Sequence, residues 1–206
     1  MIHSEIVQFL SEIDTNIFLS FNGIHSPFWD YFMSSFTGKF IWIPMYATIL
    51  YILLKNFHWK VVMCYVAAIA LTITFADQMC SSIIRPVVAR LRPANPENPI
   101  VDLVHIVNGY RGGSYGFPSC HAANSFGLAM YVVFLFRKRW LSVFIITWAV
   151  LNCYTRIYLG VHYPGDLIVG GIIGGFGGWL FCTIAHKIAS YLQKPSRVRR
   201  LSLIHI

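Results

Sequence analysis

Three short motifs in this chain combine residue types that can bind and transfer a phosphate group. They read RPVVARLRP at residues 85–93, PSCH at 118–121 and TRIYLGVHYPGD at 155–166. Each stands at the edge of a long apolar run, where a charged side chain is costly unless it has a partner or a function. We therefore expect these residues to form a functional site.

The arginines of the motifs suit a phosphate group. Arg85, Arg92 and Arg156, which we call the site arginines, carry permanently charged planar groups that match phosphate oxygens. Pro118 and Ser119 predict the first turn of a helix, whose unpaired backbone N–H groups attract anions. The motifs thus predict a phosphate site made of guanidinium groups, a hydroxyl and backbone amides.

Two histidines supply groups that could break a phosphate ester. Asp166 follows His162 by four residues, so its carboxylate could accept one imidazole N–H and leave the other nitrogen as a nucleophile. His121 could then donate a proton to the departing alkoxide. Two imidazoles in opposite protonation states beside arginines predict phosphoryl transfer without a metal or another cofactor.

The composition indicates a membrane protein. Hydrophobic residues make up 56% of the 206 residues and charged residues 12%, and the apolar residues occur in blocks. We predict an all-α fold, a polytopic transmembrane helix bundle formed by residues 39–192. Each of its five spans has roughly the 20 residues that a helix needs to cross a bilayer. The spans are predicted at 39–57, 61–84, 118–136, 140–157 and 167–190.

Residues 1–38 form a separate segment. They include four acidic residues but no lysine or arginine, unlike the basic start of a secretory signal. Their apolar residues recur at helical spacing, which favours an N-terminal interfacial helix lying along the bilayer. A sixth, broken span is the alternative for this segment.

The basic residues are distributed unevenly. Ten of sixteen lie at 55–60, at 137–139 and after residue 186, all on one side of a five-span bundle, and this side is predicted to be cytoplasmic. Because consecutive helices run antiparallel, the three motifs meet on the opposite, periplasmic face. Five arginines lie on this face, although the positive-inside rule predicts few basic residues there. This distribution, and not nucleic-acid binding, accounts for the net charge of +8.

At these motifs the chain resembles the type 2 phosphatidic acid phosphatase family, which shares a site plan with vanadium haloperoxidases and glucose-6-phosphatase. The family's motifs are Lys-x6-Arg-Pro, Pro-Ser-Gly-His and Ser-Arg-x5-His-x3-Asp, and their order and spacing match here. The chain departs from them with Arg85 for lysine, Cys120 for glycine and Thr155 for serine. None of these changes removes a group that performs chemistry.

The resemblance implies a role for each motif residue. His162 would attack phosphorus and carry the phosphoryl group, with Asp166 orienting its ring. His121 would protonate the leaving group and later activate water. The residues that would hold the phosphate are Arg85, Arg92, Ser119, Cys120 and Arg156.

Two further regions could support the site. Asp77, late in the second apolar block, should pair with a charged group at that depth, and a site arginine is the candidate. The loop 94–117 is long and rich in Gly, Asn and Pro, as in lids and headgroup-binding loops. Arg111 and Tyr115 are its candidates for substrate contact.

Small residues in the last apolar block predict close helix packing. Gly170, Gly174 and Gly178 repeat every four residues, a spacing that lets two helices approach each other. Packing within the bundle is the favoured interpretation, and a homodimer seam is the alternative.

Together these features predict an integral membrane lipid phosphatase of a bacterial inner membrane, with its active site on the periplasmic face. It would hydrolyse a terminal phosphate monoester or diphosphate of a lipid through a phosphohistidine. A lipid phosphotransferase and a non-catalytic protein that binds or transports lipid phosphates are the alternatives. The motifs do not rank the candidate substrates, which are phosphatidylglycerophosphate, undecaprenyl diphosphate, phosphatidic acid and lipid A phosphates.

Residues 193–206 are predicted to be a basic cytoplasmic tail. The last six, LSLIHI, match a translated sequencing adaptor, so we interpret them as a library artefact and assign them no function.

Overall fold

The computed structural model describes residues 2–38 and 40–193, so Lys39 and the tail from Lys194 onward lie outside the described residues. The α-helices are α1 (Ile2–Asn22), α2 (Pro27–Phe36), α3 (Ile43–Asn56), α4 (Trp59–Asp77), α5 (Arg85–Val88), α6 (Cys120–Phe136), α7 (Arg139–Tyr158) and α8 (Pro164–Leu192). A π-helical stretch, Gln78–Ile84, joins α4 to α5.

The prediction of an all-helical membrane bundle is confirmed for the described residues, but the predicted number of spans is not. Among residues 2–38 and 40–193, three helical segments are long and apolar enough to cross a bilayer: Trp59–Val88, α7 and α8. A fourth span results if α2 and Phe40–Asn56, which meet at an angle of 65°, form one broken span. The apolar α6 has only 17 residues. Length and composition therefore support three or four spans.

The carboxyl end of helix α1 packs against the rest of the bundle. The buried Asn22 side chain donates hydrogen bonds to the carbonyl groups of His105, Ile157 and Tyr158. Phe18 is also fully buried and meets the ring of Tyr163 edge to face. These contacts join α1 to the end of α7 and the start of α8, while apolar side chains farther up α1 remain exposed.

The central contact of the bundle is between α6 and α8. A Cβ atom added at Gly174 or Gly178 would collide with the backbone of α6, and one added at Gly170 would collide with the carbonyl of Ser119 just before α6, so only glycine permits this approach. At Gly174 the collision would be with the carbonyl oxygen of Ala123. The prediction that these glycines pack within the bundle is confirmed.

This close packing places the second and third motifs at the same end of the bundle. The backbone N–H of Ser119, at the start of α6, donates to the carbonyl of Asp166 in the first turn of α8 over 3.0 Å. The loop after α5 reaches the same end, because Ala94 N–H donates to the carbonyl of Gly160. The three motifs therefore converge, as the antiparallel order of the helices predicts.

Candidate active site

The start of α8 brings His162 and Asp166 together. Pro164 occupies the first turn of the helix, where its missing N–H costs nothing. Asp166 lies in the same turn, and its Oδ2 accepts the backbone N–H of Tyr163 over 3.1 Å. The same oxygen is 3.2 Å from Nδ1 of His162. The four-residue spacing thus forms a carboxylate–imidazole pair at the end of the bundle.

A site arginine determines which nitrogen of His162 carries the proton. The Nη1 group of Arg92 is 2.9 Å from Nε2 of His162, and a guanidinium group can only donate. Nε2 must therefore accept this bond, which leaves the ring proton on Nδ1, facing Asp166. The imidazole has the tautomer that a nucleophilic Nε2 requires.

The surroundings also keep His162 neutral. The residue is 2% exposed. Burial is the main cause that lowers the pKa of His162 to about 4, and the positive charges of Arg92 and Arg156 lower it as well. The hydrogen bond to Asp166 opposes this shift. An uncharged imidazole keeps its lone pair available for attack at neutral pH.

At pH 7 the His162 ring should therefore be neutral with its proton on Nδ1, and it should stay neutral until the pH approaches 4, since a lowered pKa requires a more acidic solution for protonation. Nitrogen NMR of histidine-labelled protein in detergent measures this, with His162→Ala used to assign the signal. A protonation midpoint near the ordinary value of 6.5 would contradict the expectation.

The site arginines lie close to one another. Burial and the neighbouring charges of Arg85 and Arg156 lower the pKa of Arg92 to about 10. Arg92 is held by the carbonyl groups of Tyr115 and Val161, each 3.1 Å away. This positive cluster is held by neutral groups of the chain.

The other two site arginines also bind neutral groups. Arg85 donates to the carbonyl of Pro118 at 2.9 Å and lies 3.0 Å from the sulfur of Cys120. Arg156 donates to the hydroxyls of Thr37 and Tyr110. Within residues 2–38 and 40–193, no site arginine pairs with a carboxylate. The buried Nε groups of Arg85 and Arg156 have no acceptor there either. Such a cluster can bind an anion.

His121 lies in the first turn of α6 and is linked to the same cluster. Its Nε2 is 3.2 Å from Oδ1 of Asn152 on α7 and 3.4 Å from the hydroxyl of Thr37. Thr37 also accepts the hydrogen bond from Arg156, whose backbone carbonyl accepts the N–H of His162. Both histidines therefore lie beside Arg156, at one end of the bundle.

Ser119 and Cys120 open α6. Ser119 is fully buried, and its Oγ caps the helix by accepting the N–H of Ala122 over 3.3 Å. The Cys120 side chain packs against Ala76 and Cys80, and so points toward the end of α4. The Ser119 N–H is already bonded to the carbonyl of Asp166, whereas the Ser119 hydroxyl can still donate a hydrogen bond, and phosphate binding by Ser119 and Cys120 stays a prediction.

The three remaining candidates are Asp77, Arg111 and Tyr115. The Asp77 carboxylate makes no ion pair with a site arginine. Arg111 donates to the carbonyl of Ala94 over 2.7 Å and is exposed. Tyr115 has an exposed ring, and it contributes a backbone carbonyl that holds Arg92. Support of the site by Asp77 and substrate contact by Arg111 and Tyr115 stay predictions.

Sequence reasoning missed two polar residues that touch His121. Asn152 precedes Arg156 by four residues, so both lie on one face of α7, and a polar residue there in an apolar run was an available signal. Thr37 gave no signal, because its place depends on how the end of α2 meets α6. Among the described residues, no group of three or more His, Cys, Asp or Glu could hold a metal ion.

A membrane helix bundle that gathers two histidines and an arginine cluster at one end defines a phosphatase of the type indicated by the motifs. The chain belongs to the PAP2 superfamily, whose family model matches residues 61–190. The predicted family and the predicted enzyme class, a hydrolase acting on phosphoric ester bonds, are thereby confirmed.

Relatives extend this similarity over most of the chain. A lipid A 4'-phosphatase of Bacteroides thetaiotaomicron is 73% identical over 193 residues, which cover 94% of this chain and 86% of the relative. A lipid A 4'-phosphatase of Porphyromonas gingivalis is 34% identical, covering 96% and 89%. The crystal structure of Aquifex aeolicus LpxE has a TM-score of 0.59 and 25% identity, covering 82% and 94%.

Proposed function

We propose that this protein removes the 4'-phosphate of lipid A at the periplasmic face of a bacterial inner membrane, through a phosphohistidine and without a metal ion. The geometry of His162 carries the proposal, because its neutral ring presents Nε2 to Arg92 while Nδ1 faces Asp166. The choice of lipid A rests on the relative that is 73% identical.

The first step forms a bond from Nε2 of His162 to phosphorus and breaks the bond from phosphorus to the lipid oxygen. That oxygen keeps the electron pair and takes a proton from His121. The site arginines stabilise the charge on the phosphoryl oxygens, and the Arg92 N–H that now meets Nε2 would turn to one of them. His121 then takes a proton from water, which attacks phosphorus and releases His162.

A cavity beside His121 supports a lipid substrate. It has a volume of about 530 Å³ and lies between α3, α4, α6 and α7. His121, Asn124 and Asn152 are among its few polar lining residues. Because His121 would protonate the leaving oxygen, the lipid part of the substrate would lie on this side of the phosphate. The apolar lining includes Trp42, Ile49, Leu53, Ile73 and Leu128.

Filling this cavity should weaken the binding of long-chain substrates. For Leu128→Trp we expect KM for a lipid phosphate to rise about 10-fold, which corresponds to about 1.4 kcal/mol. Hydrolysis of soluble p-nitrophenyl phosphate should change little, because this ester has no chain to place there. Leu151→Trp is the matched control, since Leu151 lies exposed on α7. Equal changes for both substrates would contradict a hydrocarbon site.

The proposed topology has five spans and an interfacial α1. Helix α6 has 17 residues and is about 26 Å long, close to the thickness of the hydrocarbon core. It also packs against α4, α7 and α8, each of which is part of a candidate span. Reporter fusions in the loop 94–117 and after Gln193 should report opposite sides of the membrane. The same side for both would reject five spans.

The proposed function is tested with purified protein and a panel of the four lipid classes. Mass spectrometry should show loss of the 4'-phosphate from lipid A, at a rate that EDTA does not reduce. Lipid A that stays intact while another lipid loses phosphate would reject the proposed substrate. A phosphate that moves to an added acceptor would identify a phosphotransferase.

A further inference from the structure

We propose that Arg90, held in place by Asp14 of helix α1, is a positioning residue that keeps Asp166 in register with His162. Helix α1 would then be part of the active site and not only a membrane-surface element. The inference rests on the proposed function, because it assumes that the His162–Asp166 pair acts in catalysis.

The two oxygens of Asp166 have different partners. Oδ2 faces Nδ1 of His162 and the N–H of Tyr163. Oδ1 is 3.1 Å from Nη1 of Arg90. The same nitrogen is 2.6 Å from Oδ2 of Asp14. A continuous chain of contacts therefore runs from Asp14 through Arg90 and Asp166 to His162.

The electrostatics of Asp166 require such a partner. Its side chain is fully buried, and a buried carboxylate is strongly unfavourable unless it is paired. Among the described residues its only ion-pair contacts are Arg90 and His162, and the neutral His162 brings no charge. Without Arg90 the carboxylate would turn toward other donors, and His162 would lose the acceptor that keeps its proton on Nδ1.

Arg90 is itself held on two sides. Its guanidinium carbon lies 3.8 Å from the ring centre of Tyr163, a stacked arrangement that favours a cation. Asp14 is fixed because its Oδ1 accepts the N–H of Gly165 over 2.7 Å. A Cβ atom at Gly165 would lie 2.8 Å from Oδ2 of Asp14, so glycine permits this approach. Asp14 thus joins α1 to both Arg90 and the first turn of α8.

This assignment also accounts for an arginine that the motifs leave unexplained. Arg90 is one of the five arginines on the predicted periplasmic face, and it occupies an unspecified position between Arg85 and Arg92 in the first motif. Unlike the site arginines, it pairs with carboxylates and so is not available as a phosphate ligand. Its charge is used to hold Asp166.

The test is a double-mutant cycle with Arg90→Gln and Asp14→Asn, using whichever phosphate ester the wild type hydrolyses. We expect kcat to fall about 100-fold for Arg90→Gln and about 10-fold for Asp14→Asn, with KM changing less than about 3-fold, because only the reacting histidine is disturbed.

If Asp14 acts through Arg90, the double variant should be no slower than Arg90→Gln. Arg90→Lys should recover part of the loss. Glu12→Gln, on the exposed face of α1, is the matched control.

Additive losses in the double variant, or a loss confined to KM, would overturn the inference, since a structural role of α1 would give these results. The His162 Nδ1–H signal in NMR gives a measure that does not depend on activity. It should move in Arg90→Gln and not in Glu12→Gln, and an unmoved signal would also overturn the inference. If Arg90→Gln does not fold, two other variants test the same contact. Asp14→Asn removes the charge of the carboxylate and Gly165→Ala displaces it, so each should move the His162 Nδ1–H signal. A wild type inactive on lipid A would reject the proposed substrate alone.

Discussion

Replacing His162 with alanine should lower phosphate release at least about 10³-fold, because the proposed nucleophile is lost and only phosphate binding remains. Release of inorganic phosphate from a lipid phosphate by detergent-solubilised protein measures this. The matched control is His58→Asn, which replaces an exposed histidine and preserves the acceptor that caps α4. A protein that only binds lipid phosphates would lose little affinity on either change. Activity that survives in His162→Ala would reject the phosphohistidine.

The same experiment separates the two histidines by their chemistry. His121→Gln should lose most of its activity on a lipid phosphate, whose alkoxide needs a proton as it leaves. It should lose much less in the first step on p-nitrophenyl phosphate, because nitrophenolate is stable without a proton. His162→Ala should lose both activities. Equal losses of the first step for the two substrates in His121→Gln would contradict its assignment as the acid.

A single methyl group at Gly174 should disrupt the site from within the bundle. In Gly174→Ala the new Cβ collides with the carbonyl oxygen of Ala123, and α6 must move away from α8. Overpacking of this kind costs about 3 kcal/mol, which lowers the Tm of a chain this size by roughly 10 °C. Because α6 carries His121 and α8 follows His162, we also expect phosphate release to fall. Thermal unfolding in detergent and the phosphate assay measure the two effects.

Gly175→Ala is the matched control for this change. Its Cβ would meet only the Met130 side chain, at the ordinary distance of 3.5 Å. Since alanine is favoured over glycine inside a helix by about 1 kcal/mol, this variant should be as stable as the wild type or slightly more stable. A loss of stability at Gly174 and none at Gly175 would show that the close contact between α6 and α8 stabilises the protein. Equal changes in stability would mean that helix propensity alone determines the effect of alanine.

The local part of the site could be predicted from the sequence because it depends on spacing along a helix. Four residues separate His162 from Asp166, and this brings their side chains within hydrogen-bond distance at the start of α8. Apolar blocks predicted the helices, and the repeat of Gly174 with its neighbours predicted their close packing. The number of spans was less predictable, since α6 is short and α2 meets Phe40–Asn56 at a bend.

The sequence by itself determined which residues have the chemical types and spacing that suit a phosphate, and at which helix ends they lie, because motif spacing and apolar periodicity act over a few residues. Only the tertiary structure decided which groups touch across the fold. Arg92 reaches Nε2 of His162 from 70 positions away, and Asp14 reaches Arg90 from 76. Such contacts depend on how α1, α6 and α8 pack, and packing follows from the shapes of all the buried side chains together.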